Sequence, residues 1–286
     1  MDPVAALERL GGVGSRAALL RITTRRRLRR AVKDGHIRRV RRGDYALAAA
    51  DRALVKARQL GGVASHLSAA QLHGWEVAFP ASTPWITVPR NRAVRDRRNC
   101  HLFWADLDGE TGDVTSASRT VLDCARRLPF GPALAVADSA LRHLDVSPER
   151  LVKEADEVRG KGAAAARRVA ASASRLAANP FESVVRALAI EAGLDVEPQV
   201  VVRVADRIVQ PDLLDRGRRL VIEADSWEFH TGKDAFERDC WRYNALVLDG
   251  WTVLRFTWRQ VMLDPDYVLA CLRQLAAVPS GKANVA

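Results

Sequence analysis

Three acidic residues stand in stretches that otherwise read as apolar strands. Pro211-Asp212 interrupts the run from Arg207 to Leu214, and Glu223 and Asp225 alternate in "LVIEADS". Period-two alternation puts Glu223 and Asp225 on one face of an extended strand. A hairpin that sets Asp212 opposite Val221 brings Asp212 to the same face. Gathered carboxylates repel one another and lose hydration, so a fold that keeps them has a use for them. Mg²⁺, or Mn²⁺ in its place, is that use: a hard cation takes one or two carboxylates, keeps waters and accepts phosphate oxygens. It stabilises charge on a scissile phosphate and helps generate hydroxide. Glu182, at the third position of a helix opened by Asn179-Pro180, reads either as a capping carboxylate or as support for the same ion. Asp225 joins the set or contacts a strand-end backbone.

The elements that must position these groups are regular. Asn179 caps a helix that ends at Gly193. Strands are expected at Pro198–Val204, Arg207–Leu214 and Arg219–Asp225, the last two joined by the tight turn Asp215-Arg216-Gly217-Arg218. A helix over Lys233–Leu248 stops at Asp249-Gly250, Trp251–Thr257 reads as a buried strand, and Pro265–Ala276 as a last helix. The order is αβββαβα. Arg238 and Arg242, one helical turn apart, face either a phosphate or Asp239 and Glu237. Trp227, Trp241, Trp251 and Trp258 read as core.

Pro211-Asp212, ten intervening residues and Glu223-Ala224-Asp225 resemble the signature of the PD-(D/E)xK nuclease superfamily, with Asp225 in the place of its lysine. "ADSWEFH" and "FERDCWRYNALVLDGWTVLRFTW" (236–258) are most similar to the very-short-patch repair endonucleases within it. The resemblance covers about residues 179–278 and implies a restriction-endonuclease-like core. In those repair enzymes a histidine just after the third strand serves in place of the lysine, and His230 matches it. A loop histidine with no role is the alternative reading. The candidate catalytic residues are thus Asp212, Glu223, Asp225, His230 and Glu182, with Asp212, Glu223 and Glu182 as metal ligands.

The first fifty residues read as three short helices and a β-hairpin, the order of a winged helix-turn-helix. Arg25, Arg26, Arg29, Arg30 and Lys33 lie on the third helix, capped by Thr23 or Thr24. Arg38, Arg39, Arg41 and Arg42 lie on the hairpin. A basic helix beside a basic ribbon suits neutralisation of DNA phosphates, although a solvated basic face needs no ligand. Residues 51–175 form an α/β middle region with no catalytic motif: a helix is expected over Val63–Trp75, strands at Trp85–Pro89 and Cys100–Ala105, then helices. His66, His73, Asp123 and Asp138 read as core or surface residues. "SHLSAAQLHGW" (65–75) and "TSASRTVLDCARRLP" (115–129) resemble the AbiEi type of abortive-infection antitoxin and regulator, which implies a regulator architecture over about the first 175 residues and supplies no chemistry.

At 286 residues the chain exceeds one comfortable core, so an α/β multi-domain protein is expected, with boundaries near 1–50, 51–175 and 176–280. A net charge of +11 favours a polyanionic partner, double-stranded DNA before a membrane surface, unless it only reflects an Arg-rich genome. Four scattered cysteines match neither a zinc cluster nor a disulfide framework, and no apolar run approaches a membrane span. A cytoplasmic location follows. Two functions stand: a metal-dependent DNA endonuclease of defence or repair, or a non-catalytic DNA-binding regulator with a partner toxin or defence protein.

Overall fold

The computed structural model describes residues 1–204, 207–225 and 233–278. They form two compact units, residues 1–74 with 80–123, and residues 75–79 with 124 onward. Both mix helices and sheets, so the chain is an α/β multi-domain protein.

The first unit begins α1 (Pro3–Arg9), β1 (Val13–Ser15), α2 (Arg16–Leu20), α3 (Arg25–Lys33), β2 (Ile37–Arg41) and β3 (Asp44–Leu47). Strands β1, β3 and β2 make an antiparallel sheet in that order. Strand β1 is too short to show any period in the sequence, and its pairing with β3 is what reveals it. Thr24 is the residue that caps α3, its Oγ1 accepting from Arg27 N at 3.3 Å. Leu28 and Ala31 turn inward against Leu7, Leu19 and Ile37, leaving the arginines of α3 to solvent. Full burial of each such large apolar side chain stabilises by about 1.5–3 kcal/mol.

The unit continues with α4 (Arg52–Leu60), β4 (Val63–Ala64), α5 (His66–Leu72), β5 (Trp85–Pro89), β6 (His101–Ala105) and most of α6 (Ala117–Ala125). Strand β5 lies between antiparallel β4 and parallel β6. The helix expected from Val63 thus starts three residues later. β-branched Val63 pairs with Thr87, and Ser65 stays extended while its hydroxyl accepts from Thr87 Oγ1 at 2.8 Å. One core joins Val13 and Ala46 of the first sheet to Ala53, Leu54 and Ala57 of α4 and to Ile86 and Val88 of β5.

The second unit carries α7 (Phe130–Arg142), α8 (Pro148–Glu157), α9 (Ala163–Ser172), α10 (Pro180–Glu191), β7 (Glu197–Pro198), β8 (Val202–Val204), β9 (Arg207–Val209), β10 (Leu213–Asp215), β11 (Leu220–Asp225), α11 (Lys233–Leu248), β12 (Thr252–Thr257), α12 (Trp258–Leu263) and α13 (Pro265–Ala277). Each of the first two expected strands breaks in two. Among the described strands β8 and β9 pair only with each other, while the main sheet runs β12-β11-β10-β7. Gln199, in the left-handed region at φ 56°, bends the first, and Pro211, which has no amide to donate, interrupts the second. Helices α10, α12 and α13 cover one face, packing Val185, Leu188, Val261, Val268 and Leu272 on Leu213, Leu220, Ile222 and Phe256. Leu246 of α11, with Trp241 partly buried beside it, packs against Leu214 and Val221. Strand β12, expected to be buried, is an edge among the described strands, with Thr252 and Arg255 exposed. Trp258, expected in the core, is 45% exposed. Trp227 lies outside the described residues.

Candidate active site

The site grows from the β10–β11 hairpin. Arg219 is part of its turn, in the left-handed region at φ 49°, so the loop takes four residues, 216–219. The buried Asp215 carboxylate holds the turn by accepting from Arg218 N at 3.0 Å and Asp195 N at 3.2 Å. The turn keeps its four residues but slides one position along the chain, which moves the register by two residues: Leu213 pairs with Ile222 and Leu214 with Val221, where Asp212 was expected opposite Val221. A shift of two keeps every side chain on its face. Continued by one pair, the ladder sets Asp212 against Glu223, and Asp212 N lies 3.5 Å from Glu223 Oε2.

Asp212 Oδ2 accepts from Ala224 N at 2.8 Å, which aims the carboxylate along β11. Its Oδ1 accepts from Gln199 Nε2 at 3.2 Å, and the same nitrogen donates to Glu182 Oε2 at 3.0 Å. Glu182 also accepts from Ala178 N at 2.9 Å and Asn179 Nδ2 at 2.8 Å, so it caps α10 and borders Asp212 at once. The two readings of Glu182 are therefore compatible. Burial, and then the charge of Asp212, raises the Glu182 pKa.

Glu223 is 3% exposed and its Oε1 has no hydrogen-bond partner. Burial, followed by the nearby Asp212 charge, pushes its pKa up to about 8. Arg242 of α11 comes only within 3.5 Å of that oxygen, while donating to Tyr243 Oη at 2.8 Å and leaving its own Nε unpartnered. A buried carboxylate oxygen with no donor, facing a second carboxylate, is a place where a hard cation fits. Among the described residues no three Asp, Glu, His or Cys side chains gather closely enough to enclose an ion alone.

Asp225 has a different neighbour. Arg255 of β12 donates from Nε to its Oδ2 at 2.6 Å and stacks its guanidinium 4.0 Å over the Tyr243 ring. Both arginines that surround these carboxylates thus meet at Tyr243. His230 lies outside the described residues. Sequence reasoning missed Gln199 and Arg255. Gln199 could have been marked as a polar residue before the apolar run Val200–Val202, and Arg255 as the one charge inside "VLRF".

The expected DNA-contacting side chains sit in the first unit. Arg25, Arg26, Arg29, Arg30, Lys33, Arg38, Arg39 and Arg42 are exposed. Arg41 is half-buried and pairs with Asp44 at 2.8 Å.

The family model REase_MTES_1575 matches residues 181–275, the span that holds α10, the carboxylate hairpin and α11. Residues 181–275 form a restriction endonuclease-like domain. Over 260 residues the chain is 27% identical to the uncharacterized proteins MT2308 and Rv2248 of Mycobacterium tuberculosis, covering 86% of this chain and 95% of each of them. A solved structure, the Rv2827c protein of Mycobacterium tuberculosis, overlaps 69% of this chain and 83% of its own, with 14% identity and a TM-score of 0.33. No helix among the described residues is long and apolar enough to cross a membrane.

Proposed function

We propose that the chain is a cytoplasmic, divalent-metal-dependent endonuclease that hydrolyses phosphodiester bonds of double-stranded DNA in defence or repair. The observation that carries this reading is half-buried Asp212 beside buried Glu223, tied to Glu182 through Gln199, inside a restriction endonuclease-like domain. Residues 176–280 are its αβββαβα nuclease domain, residues 1–50 a winged helix-turn-helix that delivers duplex DNA, and residues 51–175 an AbiEi-like middle region. Asp212 and Glu223 would hold Mg²⁺ or Mn²⁺, and two carboxylates would suffice because such an ion keeps waters and accepts phosphate oxygens. When bound, the ion supplies positive charge to the phosphate and lowers the pKa of a bound water.

The chain's own groups do the rest. Glu182 orients Gln199, whose amide holds Asp212 Oδ1 in place. Arg242, beside the unpartnered Glu223 oxygen, offers its positive charge to a phosphate bound there. Asp225 orients Arg255, and a ring nitrogen of His230 takes the proton of the attacking water. Incubation of supercoiled plasmid with Mg²⁺, Mn²⁺ or EDTA tests the reading. The parent nicks with metal only, and His230→Ala is slower by about 10²-fold with DNA affinity intact. A parent that never cuts under any divalent ion overturns it.

One observation favours a second reading. At the position where the superfamily carries its lysine, Asp225 is already occupied by Arg255. A regulator or antitoxin that binds DNA beside a partner toxin or defence protein, without cutting, would keep such a pair as structure. DNA binding without nicking, unchanged by Asp212→Asn, selects it.

A further inference from the structure

Between β5 and β6 the chain runs "RNRAVRDRRN" (90–99), five arginines against one aspartate, inside the stretch that sequence reasoning left without chemistry. Arg90, Arg92, Arg95, Arg97 and Arg98 are all exposed. Only Arg98 has a carboxylate partner among the described residues, Asp96 at 3.0 Å. The loop is nevertheless held in place. Arg92 donates from Nε to Leu60 O at 3.0 Å, and Trp104 Nε1 donates to Arg92 O at 3.0 Å. Val94 packs on the core of the unit, and the Arg97 guanidinium carbon lies over the Trp104 ring, 4.9 Å from its centroid.

Its position is the second observation. Arg92 and Arg41, the latter from the β2–β3 hairpin, converge on Gly61. A Cβ there would collide with Arg41 Nη1 and stand 2.8 Å from Arg92 Nη2. Gly61 is left-handed at φ 72°, and that backbone conformation calls for glycine, whereas the two guanidinium ends could swing aside from a Cβ. The basic hairpin and the arginine loop therefore adjoin at Gly61, where Asp44 pairs with Arg41 and leaves Arg92 without a carboxylate partner among the described residues. Like charges drawn together cost Coulomb energy that a polyanion removes.

We propose that the 90–98 loop is a second DNA-contacting element that extends the footprint of the β2–β3 hairpin along the duplex by pairing with phosphates. Side chains pre-positioned by Trp104 and Leu60 lose less freedom on binding than mobile ones. Arginines on phosphates set register without reading bases, so the loop adds affinity and salt dependence rather than sequence preference. The inference rests on the reading of residues 1–50 as the duplex-binding module.

The test is the salt dependence of duplex binding by the full chain in EDTA, so that cleavage plays no part. In Arg90→Ala/Arg95→Ala/Arg97→Ala the slope of log K against log salt falls by about 2 to 3, about 0.9 for each phosphate that no longer has an arginine to neutralise it. The matching triple Lys variant retains most of the slope, and an unchanged melting curve shows that the exposed substitutions leave the fold intact. A triple Ala variant that binds like the parent, while Arg25→Ala/Arg26→Ala/Arg29→Ala lowers the slope, overturns the loop and leaves the module standing. A parent that binds no duplex overturns both. Loss of binding to anionic vesicles with duplex affinity unchanged would make the surface a membrane-binding one and also overturn the proposal.

Discussion

Two of the carboxylates buried in the second unit are held in opposite ways. Asp138 of α7 is fully buried, yet Arg186 of α10 donates from Nη2 to both its oxygens at 2.7 Å and Ser174 N donates at 2.8 Å. Arg186 adds a bond from Nη1 to Ser172 O at 2.5 Å, so the pair ties α7, α10 and the chain after α9 together. Glu223, scarcely more exposed, has an oxygen with no partner and an arginine held 3.5 Å away. Burial costs both, and only the first is compensated within the protein. A compensated buried charge is structure. On the proposed reading, an uncompensated one beside a second carboxylate is a place kept for a ligand.

The comparison breaks most visibly in activity. Asp212→Asn lowers metal-dependent nicking by about 10³-fold, about 4 kcal/mol of transition-state stabilisation, and excess Mn²⁺ restores part of it. Asp138→Asn, measured on whatever protein remains folded, changes the turnover of that fraction little. Equal losses of turnover would mean that Asp212 is no ligand.

Stability reverses the ranking. Asp138→Ala leaves Arg186 charged and unpaired in the core and costs about 3–5 kcal/mol in urea unfolding. Glu223→Gln, which replaces a carboxyl whose ionised form burial already disfavours and whose Oε1 has no hydrogen-bond donor, is neutral or stabilising without metal. If the two substitutions destabilise alike, Glu223 is an ordinary core acid.

The arginines sharpen the contrast. Arg186→Met strands Asp138 and costs a comparable 3–5 kcal/mol, roughly, by the same imbalance. Arg242→Met costs about 1 kcal/mol or less, because its approaches to Glu223 and Asp239 are both 3.5 Å long. Thermal unfolding of both variants checks the difference.

The smallest effect belongs to a half-exposed acid. Partial burial pushes Glu76 up, but hydrogen bonds from Ser139, its own backbone and Arg142 outweigh it and hold its pKa at about 2 against an ordinary 4.5. A depressed pKa contributes stability that is fully present above pH 4.5 and is lost as pH falls toward 2. With the side chain 52% exposed, solvent screening limits it to about 1 kcal/mol or less. Glu76→Gln should flatten the acid limb of the unfolding curve by that amount, and an unaltered limb would assign the acid sensitivity elsewhere.

Much of this was legible in the residues. Asn179-Pro180 announced α10, and the side-chain amide of Asn179 holds Glu182 as well as capping the helix. The alternation of Glu223 and Asp225 and the interruption at Pro211-Asp212 located the hairpin. Parity made the shared face of Asp212 and Glu223 robust, since a slip of two residues changes partners and not faces. The partners themselves were not legible. Arg242 was weighed against Asp239 and Glu237, its neighbours along the helix, and it reaches Asp239 but also Glu223 from another element. Arg255 stands beside β11 only because β12 pairs with it in parallel, across thirty residues of chain. The arginine loop was visible as charge and silent as surface until Arg92 met Arg41 at Gly61.

By itself, then, the sequence determined what local chemistry determines: helix starts through caps and proline, strand faces through period two, and carboxylates in places where apolar strands do not want them. Tertiary structure decided which of those carboxylates is compensated. That choice depends on long-range pairing, because a guanidinium bonded at 2.7 Å satisfies Asp138 whereas one held at 3.5 Å leaves the Glu223 oxygen open. The difference is less than an ångström, and it is set by how α7, α10 and α11 pack rather than by any spacing along the chain.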